Sequence, residues 1–250
     1  MKKNLILFFL NNEITNRGIP IINETIRLKM KENRKNLLIT PSKLDTENVQ
    51  QLEAILRNKP NSQKLDGLLT DKIPSDMLAA FLSLCPPQNG PVFQKLVSKV
   101  LTKIFRPIID ESLIQQECHI TGSRIDIVLP FCVESLSENS FWDPWYHRYS
   151  IKSIIVEVKN EHSQAKPEDI RQIYDYIHRA KQGNFGIIVA RNGFTKDSRK
   201  ILKEYSAENI LILPLDQNDL KLLLELSQKT PFSVFQYLSR IERLLNRFQI

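Results

Sequence analysis

The sequence predicts an α/β fold in which a central mixed β-sheet is flanked by helices. Two strand-like runs, 113–120 and 124–129, are joined through Thr121-Gly122-Ser123, a pattern typical of an antiparallel hairpin. Further along, a strand that ends at Asn160, a helix and a strand at 185–190 follow one another, and that order implies a parallel pair with a right-handed crossover. One chain with both kinds of pair predicts a mixed sheet.

Residues 1–85 are expected to form a mostly helical accessory region. Apolar residues recur at helical spacing before Pro60, and a second short helix is predicted over 75–84. The basic run Arg27–Lys35 could touch phosphates, although a solvated charged face is the commoner role of such a run. The segment Cys85-Pro86-Pro87-Gln88-Asn89-Gly90 then interrupts any helix and marks a boundary.

The core is predicted over 90–226 and a basic amphipathic helix over 230–250. A buried helix begins at Gly90, because apolar residues recur at helical spacing until Pro107. Further elements are predicted as a helix at 167–181, a helix at 196–205, a strand at 210–213, a helix at 218–226 and a helix at 230–248. Trp142, Trp145 and Tyr146 lie in an aromatic segment that either packs onto the domain, as is commoner, or stacks on bases.

The composition favours a polyanionic partner, and the sequence predicts no zinc site, signal peptide or membrane-spanning segment. Among 250 residues, 35 Lys and Arg outnumber 28 Asp and Glu, which gives a net charge of +7. The three cysteines and four histidines lack metal-ligand spacing, so no zinc site is expected. The apolar run Leu5–Leu10 is shorter than the core of a signal peptide, and no stretch has membrane-spanning length. We therefore expect a cytoplasmic protein without a membrane partner.

Three charged residues stand out within apolar strands. Glu157 and Lys159 lie two residues apart in the strand Ile151–Asn160 and so share one face, and Asp126 lies in the earlier strand 125–128. If the strands are neighbours, two carboxylates, with the Val158 carbonyl as a third ligand, would suit magnesium, and the lysine could orient or help deprotonate a water. The alternative is a structural ion pair between Glu157 and Lys159, with Asp126 exposed.

The motifs Ser123–Val128 and Ile154–Asn160, with the element order helix, hairpin, strand, helix, strand, resemble the PD-(D/E)XK nuclease superfamily. Gly186–Val189, followed by Gly193–Thr195 and a basic helix, is similar to Mrr-type restriction endonucleases. The resemblance covers about residues 90–226. It implies a restriction endonuclease-like core and a magnesium-dependent nuclease, with manganese as a substitute ion, that acts on DNA.

The resemblance also implies roles for individual residues. Asp126, Glu157, Lys159 and Gln172 would be catalytic, and the metal would bind at Asp126, Glu157 and the carbonyl of Val158. Gln172 and Tyr176 are one helical turn apart, a pair that several branches of the superfamily carry facing the active site. One departure is Gln94, which stands where many relatives carry a glutamate and makes a second strongly held ion doubtful.

Double-stranded DNA is the expected partner. The expected contacts to nucleic acid come from basic and aromatic side chains, namely Arg124, Arg171, Tyr176, Arg240 and Arg243. Cutting both strands would suggest a homodimer, and restriction or defence against foreign DNA is the role that the resemblance implies. The alternatives are a nucleic-acid-binding module of the same fold without catalysis, and a structure-specific junction nuclease.

Overall fold

The computed structural model describes residues 67–70, 73–87, 89–120, 123–137 and 140–247, together with residues 47, 50, 51 and 54. Contacts divide the chain into Met1–Lys43 and Leu44–Ile250, and all described residues belong to the second unit. The basic run Arg27–Lys35 lies outside the described residues. Residues 47, 50, 51 and 54 are helical, within the stretch before Pro60 where the sequence predicts a helix.

A five-stranded mixed sheet forms the centre of the described unit. Its strands are β1 (Gln115–Ile120), β2 (Ser123–Pro130), β3 (Ser153–Lys159), β4 (Phe185–Ala190) and β5 (Leu211–Leu215). They lie in the order β1-β2-β3-β4-β5; the first two pairs are antiparallel and the last two are parallel. The predicted hairpin and the predicted parallel pair are both confirmed.

Helices flank this sheet. They are α1 (Ser75–Leu84), α2 (Gly90–Phe105), α3 (Asp143–Tyr149), α4 (Pro167–Ala180), α5 (Lys196–Ala207), α6 (Gln217–Ser227) and α7 (Pro231–Asn246). Short 3₁₀ turns occupy Arg106–Ile108, Glu111–Leu113, Val133–Ser137 and Ser140–Trp142. Helix α2 packs with α1 and α6. Helix α4 packs on β3 and β4 and also contacts α5. Helix α7 contacts α5, α6 and β5. The α/β class predicted from the sequence is confirmed.

Helix α2 brings its first turn to the middle of the sheet. Pro91 suits a first turn because its missing N–H would have no partner there. The apolar residues of α2 are buried, and the helix ends before Pro107, as the sequence predicts. Because α2 contacts both β2 and β3, Gln94 in its second turn lies over the point where those strands meet.

Helix α4 lies close to the sheet because β4 has a glycine below it. A Cβ atom on Gly186 would lie 2.8 Å from Ile177 Cδ1 and 3.1 Å from the Ile155 carbonyl oxygen. Ile170, Ile173 and Ile177 fill this interface and are buried. Their burial fixes the rotation of α4 about its axis. The polar face of α4 is thereby turned toward the end of β3.

The aromatic segment between β2 and β3 packs onto the domain. Trp142 and Trp145 are each 3% exposed, and Trp145 lies 5.6 Å from Phe185 and 5.5 Å from Phe235 between ring centroids. Tyr146 stacks on Phe131 at 5.5 Å. The packing interpretation is therefore confirmed, and the two tryptophans offer no exposed platform for bases.

The described helices include none that is both long enough and apolar enough to cross a membrane. Helix α1, placed by the sequence within the accessory region, packs against α2 and α6. The limits predicted for the accessory region, the core and the C-terminal helix stay a prediction.

Candidate active site

The backbone ladders of the sheet break at Asp126. The ladder between β2 and β3 pairs Ile127 with Val156 and stops there, although Asp126 and Glu157 come next. The ladder between β1 and β2 skips Asp126 and the opposite residue, Glu117, whose backbone is left-handed with φ of 54°. Asp126 therefore has no register partner in either β1 or β3, and the pocket lies beside this residue.

This pocket has a volume of about 380 Å³. It lies among the start of α2, β2, the end of β3 and the inward face of α4. Its lining residues are Gly90, Pro91, Gln94, Arg124, Asp126, Glu157, Val158, Lys159, Asn160, Glu161, Gln172 and Tyr176. The structure thus brings the four predicted catalytic residues and the third predicted ligand residue into one pocket.

Asp126 is held on three sides. Its Oδ2 accepts a hydrogen bond from the Val158 N–H at 2.9 Å, and its Oδ1 lies 3.4 Å from Arg124 Nη2. Its backbone carbonyl accepts a hydrogen bond from Gln94 Nε2 at 2.9 Å. Asp126 is 7% exposed, so it is not the exposed aspartate that the ion-pair alternative requires. The amide of Gln94 braces the backbone of Asp126.

Glu157 has one oxygen paired and one oxygen without a partner. Its Oε1 lies 2.9 Å from Lys159 Nζ, as the two-residue spacing predicts. Its Oε2 is buried and accepts no hydrogen bond. An unsatisfied buried carboxylate oxygen is costly, and oxygen ligands are those that hard divalent cations take. The donor set of Asp126 and Glu157 therefore fits a magnesium ion.

Lys159 is held by three acceptors. Besides Glu157, its Nζ contacts Gln172 Oε1 at 3.0 Å and Asp169 Oδ1 at 3.3 Å. Gln172 Nε2 donates to the Tyr176 hydroxyl at 2.5 Å, so the pair one helical turn apart forms a chain that ends at the lysine. Gln172 and Tyr176 both line the pocket, and their roles there stay a prediction.

The sequence interpretation missed Asp169 and the residues that fix the loop after β3. Asp169 precedes Gln172 by three residues, a spacing that places both on one helix face and could have revealed it. Asn160 Nδ2 donates to the Pro86 carbonyl at 3.1 Å, and Arg191 Nη1 donates to Asn160 Oδ1 at 3.1 Å. No local pattern reveals these contacts, because the partners are far apart in the sequence.

The residues predicted to contact nucleic acid fall into two groups. Arg124 and Tyr176 line the pocket, and the Arg124 side chain is 54% exposed. Arg171 is exposed and lies 3.5 Å from Glu168, while Arg240 and Arg243 are exposed on α7. These last three do not line the pocket. The structure therefore does not bring them to the carboxylates.

The charged groups of the pocket shift one another's pKa values. Burial, and then the negative charge of Asp126, raise the pKa of Glu157 to about 7, although Lys159 works in the opposite direction. Burial works to lower the pKa of Lys159, but the charges and hydrogen bonds of Glu157 and Asp169 outweigh it and raise the pKa. The lysine is therefore an ammonium at neutral pH.

The described residues contain no group of three or more His, Cys, Asp or Glu side chains placed to hold a metal together. Asp126 and Glu157 supply two side-chain ligands, and further ligands would be backbone or water oxygens. The sequence matches no family model, and no curated protein matches it either. The interpretation of the pocket consequently depends on its own geometry and on its motifs.

The pKa of Glu157 predicts how stability depends on pH without divalent metal. The folded pKa of about 7 lies above the ordinary value of 4.5, so the folded state holds this proton more tightly than the unfolded chain does. The contribution of Glu157 therefore falls as pH rises from about 4.5 to 7, by about 3 kcal/mol in total. We expect the metal-free melting temperature to drop over this range, and drop less in Glu157→Gln.

The comparison between wild type and Glu157→Gln isolates Glu157 and the groups coupled to it, because titrating residues away from the pocket contribute equally to both curves. Magnesium should raise the melting temperature of the wild type more at pH 8 than at pH 5, since only the ionised carboxylate binds it well. Parallel pH curves for the two proteins would contradict the raised pKa.

Proposed function

We propose that this chain is a metal-dependent endonuclease that hydrolyses the phosphodiester bonds of DNA. The observation that carries the proposal is the meeting of Asp126, Glu157, Lys159 and Gln172 in one pocket. Two buried carboxylates can hold a divalent cation, and an ammonium beside them can stabilise the negative charge that develops in this reaction. The five-stranded mixed sheet supports a restriction endonuclease-like core, because Asp126, Glu157 and Lys159 lie on its inner strands β2 and β3.

In this proposal Asp126, Glu157 and the carbonyl of Val158 hold magnesium, for which manganese can substitute. The bound ion would neutralise negative charge that develops on the phosphoryl oxygens. Lys159 orients the attacking water and stabilises the transition state with its positive charge. Gln172 holds Lys159 through Oε1, and Tyr176 holds Gln172.

Double-stranded DNA is the proposed substrate. The net charge of +7 favours a polyanion, and the exposed guanidinium of Arg124 at the pocket can reach a phosphate beside the scissile bond. Arg171, Arg240 and Arg243 are proposed as phosphate contacts away from the reacting atoms. Cleavage of both strands would use two copies of the chain as a homodimer.

A cytoplasmic location and a role in restriction or defence against foreign DNA complete the proposal. Cys85, Cys118 and Cys132 are free thiols, which is usual for proteins of reducing compartments. The role in defence depends on the resemblance of the motifs to restriction endonucleases.

The test is cleavage of supercoiled plasmid, linear duplex, single-stranded DNA and a four-way junction, with magnesium, manganese or EDTA. We expect cutting of duplex DNA only with a metal, and a loss of at least about a hundredfold in Asp126→Asn, which keeps shape but removes the ligand charge. Asp175→Asn, an exposed change on α4, removes the same charge and should cut like the wild type.

The outcomes separate the three readings of the site. Metal-dependent cutting that favours the junction would select a structure-specific nuclease. Salt-dependent binding of DNA without cutting by the wild type would defeat the endonuclease proposal and select the binding module. Equal cutting by Asp126→Asn would reject the metal site.

A further inference from the structure

Asp169 contacts the proposed catalytic lysine but has no part in the proposed chemistry. Lys159 Nζ lies 2.9 Å from Glu157 Oε1, 3.0 Å from Gln172 Oε1 and 3.3 Å from Asp169 Oδ1. An ammonium has three protons, so these three acceptors use all of them, and Lys159 can donate to a water only when one acceptor gives up its proton. Two of the acceptors are carboxylates, yet only Glu157 lies on the same strand as the lysine.

The two carboxylates differ in what else they can bind. Glu157 lines the pocket and has a buried oxygen without a partner, so it is the carboxylate that a cation would share. Asp169 does not line the pocket, and its second oxygen accepts the Lys166 N–H at 2.8 Å. Asp169 is thereby fixed to the first turn of α4, and its Oδ1 remains directed at the lysine.

A cation that shares Glu157 would weaken the hold of that residue on Lys159. Part of the charge of the carboxylate would then face the metal, and the metal would repel the ammonium. The long side chain of lysine has many rotamers and loses its position when its partner weakens. Only Asp169 and Gln172 would continue to hold it, and of these only Asp169 carries a charge.

We infer that Asp169 is a positioning residue that keeps Lys159 in the active site when Glu157 is engaged by the metal. The inference rests on the proposed function, because it concerns the same pocket. Asp169 acts through Lys159 and does not touch the substrate. Its negative charge replaces the attraction that Glu157 gives up, so the ammonium stays beside the scissile phosphate.

A purely structural role is the competing explanation, because Asp169 also caps α4. The chain offers a control in Asp219, which has the same third position in α6, accepts the Asp216 N–H at 2.8 Å and also accepts from the Tyr237 hydroxyl on α7 at 2.6 Å. Asp219→Asn therefore disturbs an equivalent cap and one further contact without touching Lys159, which makes it the harsher change for the fold. Asp169→Glu keeps both the charge and a side chain suited to this cap position.

The first measurement is plasmid cleavage by the wild type, Asp169→Asn, Asp169→Glu and Asp219→Asn. We expect Asp169→Asn to lower kcat about 10- to 100-fold, with the KM for DNA and the half-saturating magnesium concentration within about twofold of wild type. Asp169→Glu should recover most of kcat, and Asp219→Asn should match the wild type. A cap effect alone would affect Asp169→Asn and Asp219→Asn similarly.

The second measurement does not depend on activity. In protein labelled with ¹⁵N-lysine, exchange of the Lys159 ammonium protons with water reports whether the ammonium is held, and Lys159→Ala identifies its signal. We expect slow exchange in the wild type with and without magnesium. In Asp169→Asn exchange should be faster, and the signal should be lost when magnesium is added.

The outcomes distinguish the inference from the proposed function. If the wild type cuts and Asp169→Asn cuts equally fast, the role of Asp169 is overturned while the nuclease stands. If the wild type never cuts, the nuclease proposal fails. The ammonium measurement then decides whether Asp169 holds Lys159, and unchanged exchange in Asp169→Asn overturns the inference.

Discussion

Replacing Lys159 by alanine is expected to slow metal-dependent DNA cleavage by about a thousandfold, the upper range of what a fixed group that stabilises transition-state charge contributes. The ammonium lies within 3.3 Å of Glu157, Gln172 and Asp169, so its position is set by the site. Arginine should not restore the rate, because the planar guanidinium is bulkier and does not place a compact charge where the ammonium lies. Single-turnover cleavage of plasmid measures the effect without a contribution from product release.

Lys152→Ala is the matched control for this prediction. Lys152 is exposed just before β3, at the opposite end of the strand from Lys159, and it does not line the pocket. Both variants lose one positive charge and should bind duplex DNA with similar affinity. A Lys159→Ala protein that is folded, binds DNA and cuts at the wild-type rate would remove Lys159 from the catalytic assignment.

Much of the fold follows from hydrophobic periodicity in the sequence. The strand Phe185–Ala190 is a continuous apolar run and is buried at every position, as a central parallel strand should be. Helix α4 follows from its apolar face and Pro167, and the observed helix ends one residue before the predicted end. The β5 strand, Leu211–Leu215, extends two residues beyond its predicted end, because Pro214 does not stop a strand at the edge of a sheet.

The site follows from the sequence as far as it depends on residue spacing. Glu157 and Lys159 share a strand face, and Gln172 and Tyr176 share a helix face, so their proximity follows from the repeat of each element. Asp126 joins them because β2 and β3 are neighbours. The sequence leaves the adjacency of these two strands as a condition, and the structure meets it.

Other features of the site depend on tertiary packing, which local patterns do not encode. The left-handed backbone of Glu117 coincides with the gap in the β1–β2 register opposite Asp126, and nothing in the strand-like sequence of β1 signals that break. The Val158 residue was predicted as a ligand through its carbonyl, yet its N–H is the group that contacts Asp126.

Glu242 is the clearest case of a contact between distant parts of the chain. It lies on the helix where the sequence suggests only packing and a basic face. Its Oε2 accepts from Trp145 Nε1 at 2.8 Å, and its Oε1 accepts from the Tyr149 hydroxyl at 2.6 Å and Arg148 Nη1 at 3.3 Å. Burial, and then the contact with Glu242, raise the pKa of Tyr149. This one carboxylate connects α7 to α3 within the core.

We expect Glu242→Gln to destabilise the fold by about 3 kcal/mol, because an amide has one acceptor oxygen where the carboxylate has two. At least one of the buried donors, Trp145 Nε1 or the Tyr149 hydroxyl, would then lack a partner. Urea unfolding followed by tryptophan fluorescence measures the change. Below the melting temperature, cleavage should be unaffected, since Glu242 does not line the pocket.

Glu225→Gln on α6 tests whether this cost arises from the buried network. It removes the same charge, but the Glu225 side chain is 47% exposed and its partner Lys229, at 3.1 Å, is also exposed. An exposed pair of this kind contributes less than about 0.5 kcal/mol. Equal destabilisation by both substitutions would mean that the loss of charge, and not the loss of the three donors on α3, lowers the stability. The assignment of Glu242 as the connection between α3 and α7 would then be wrong.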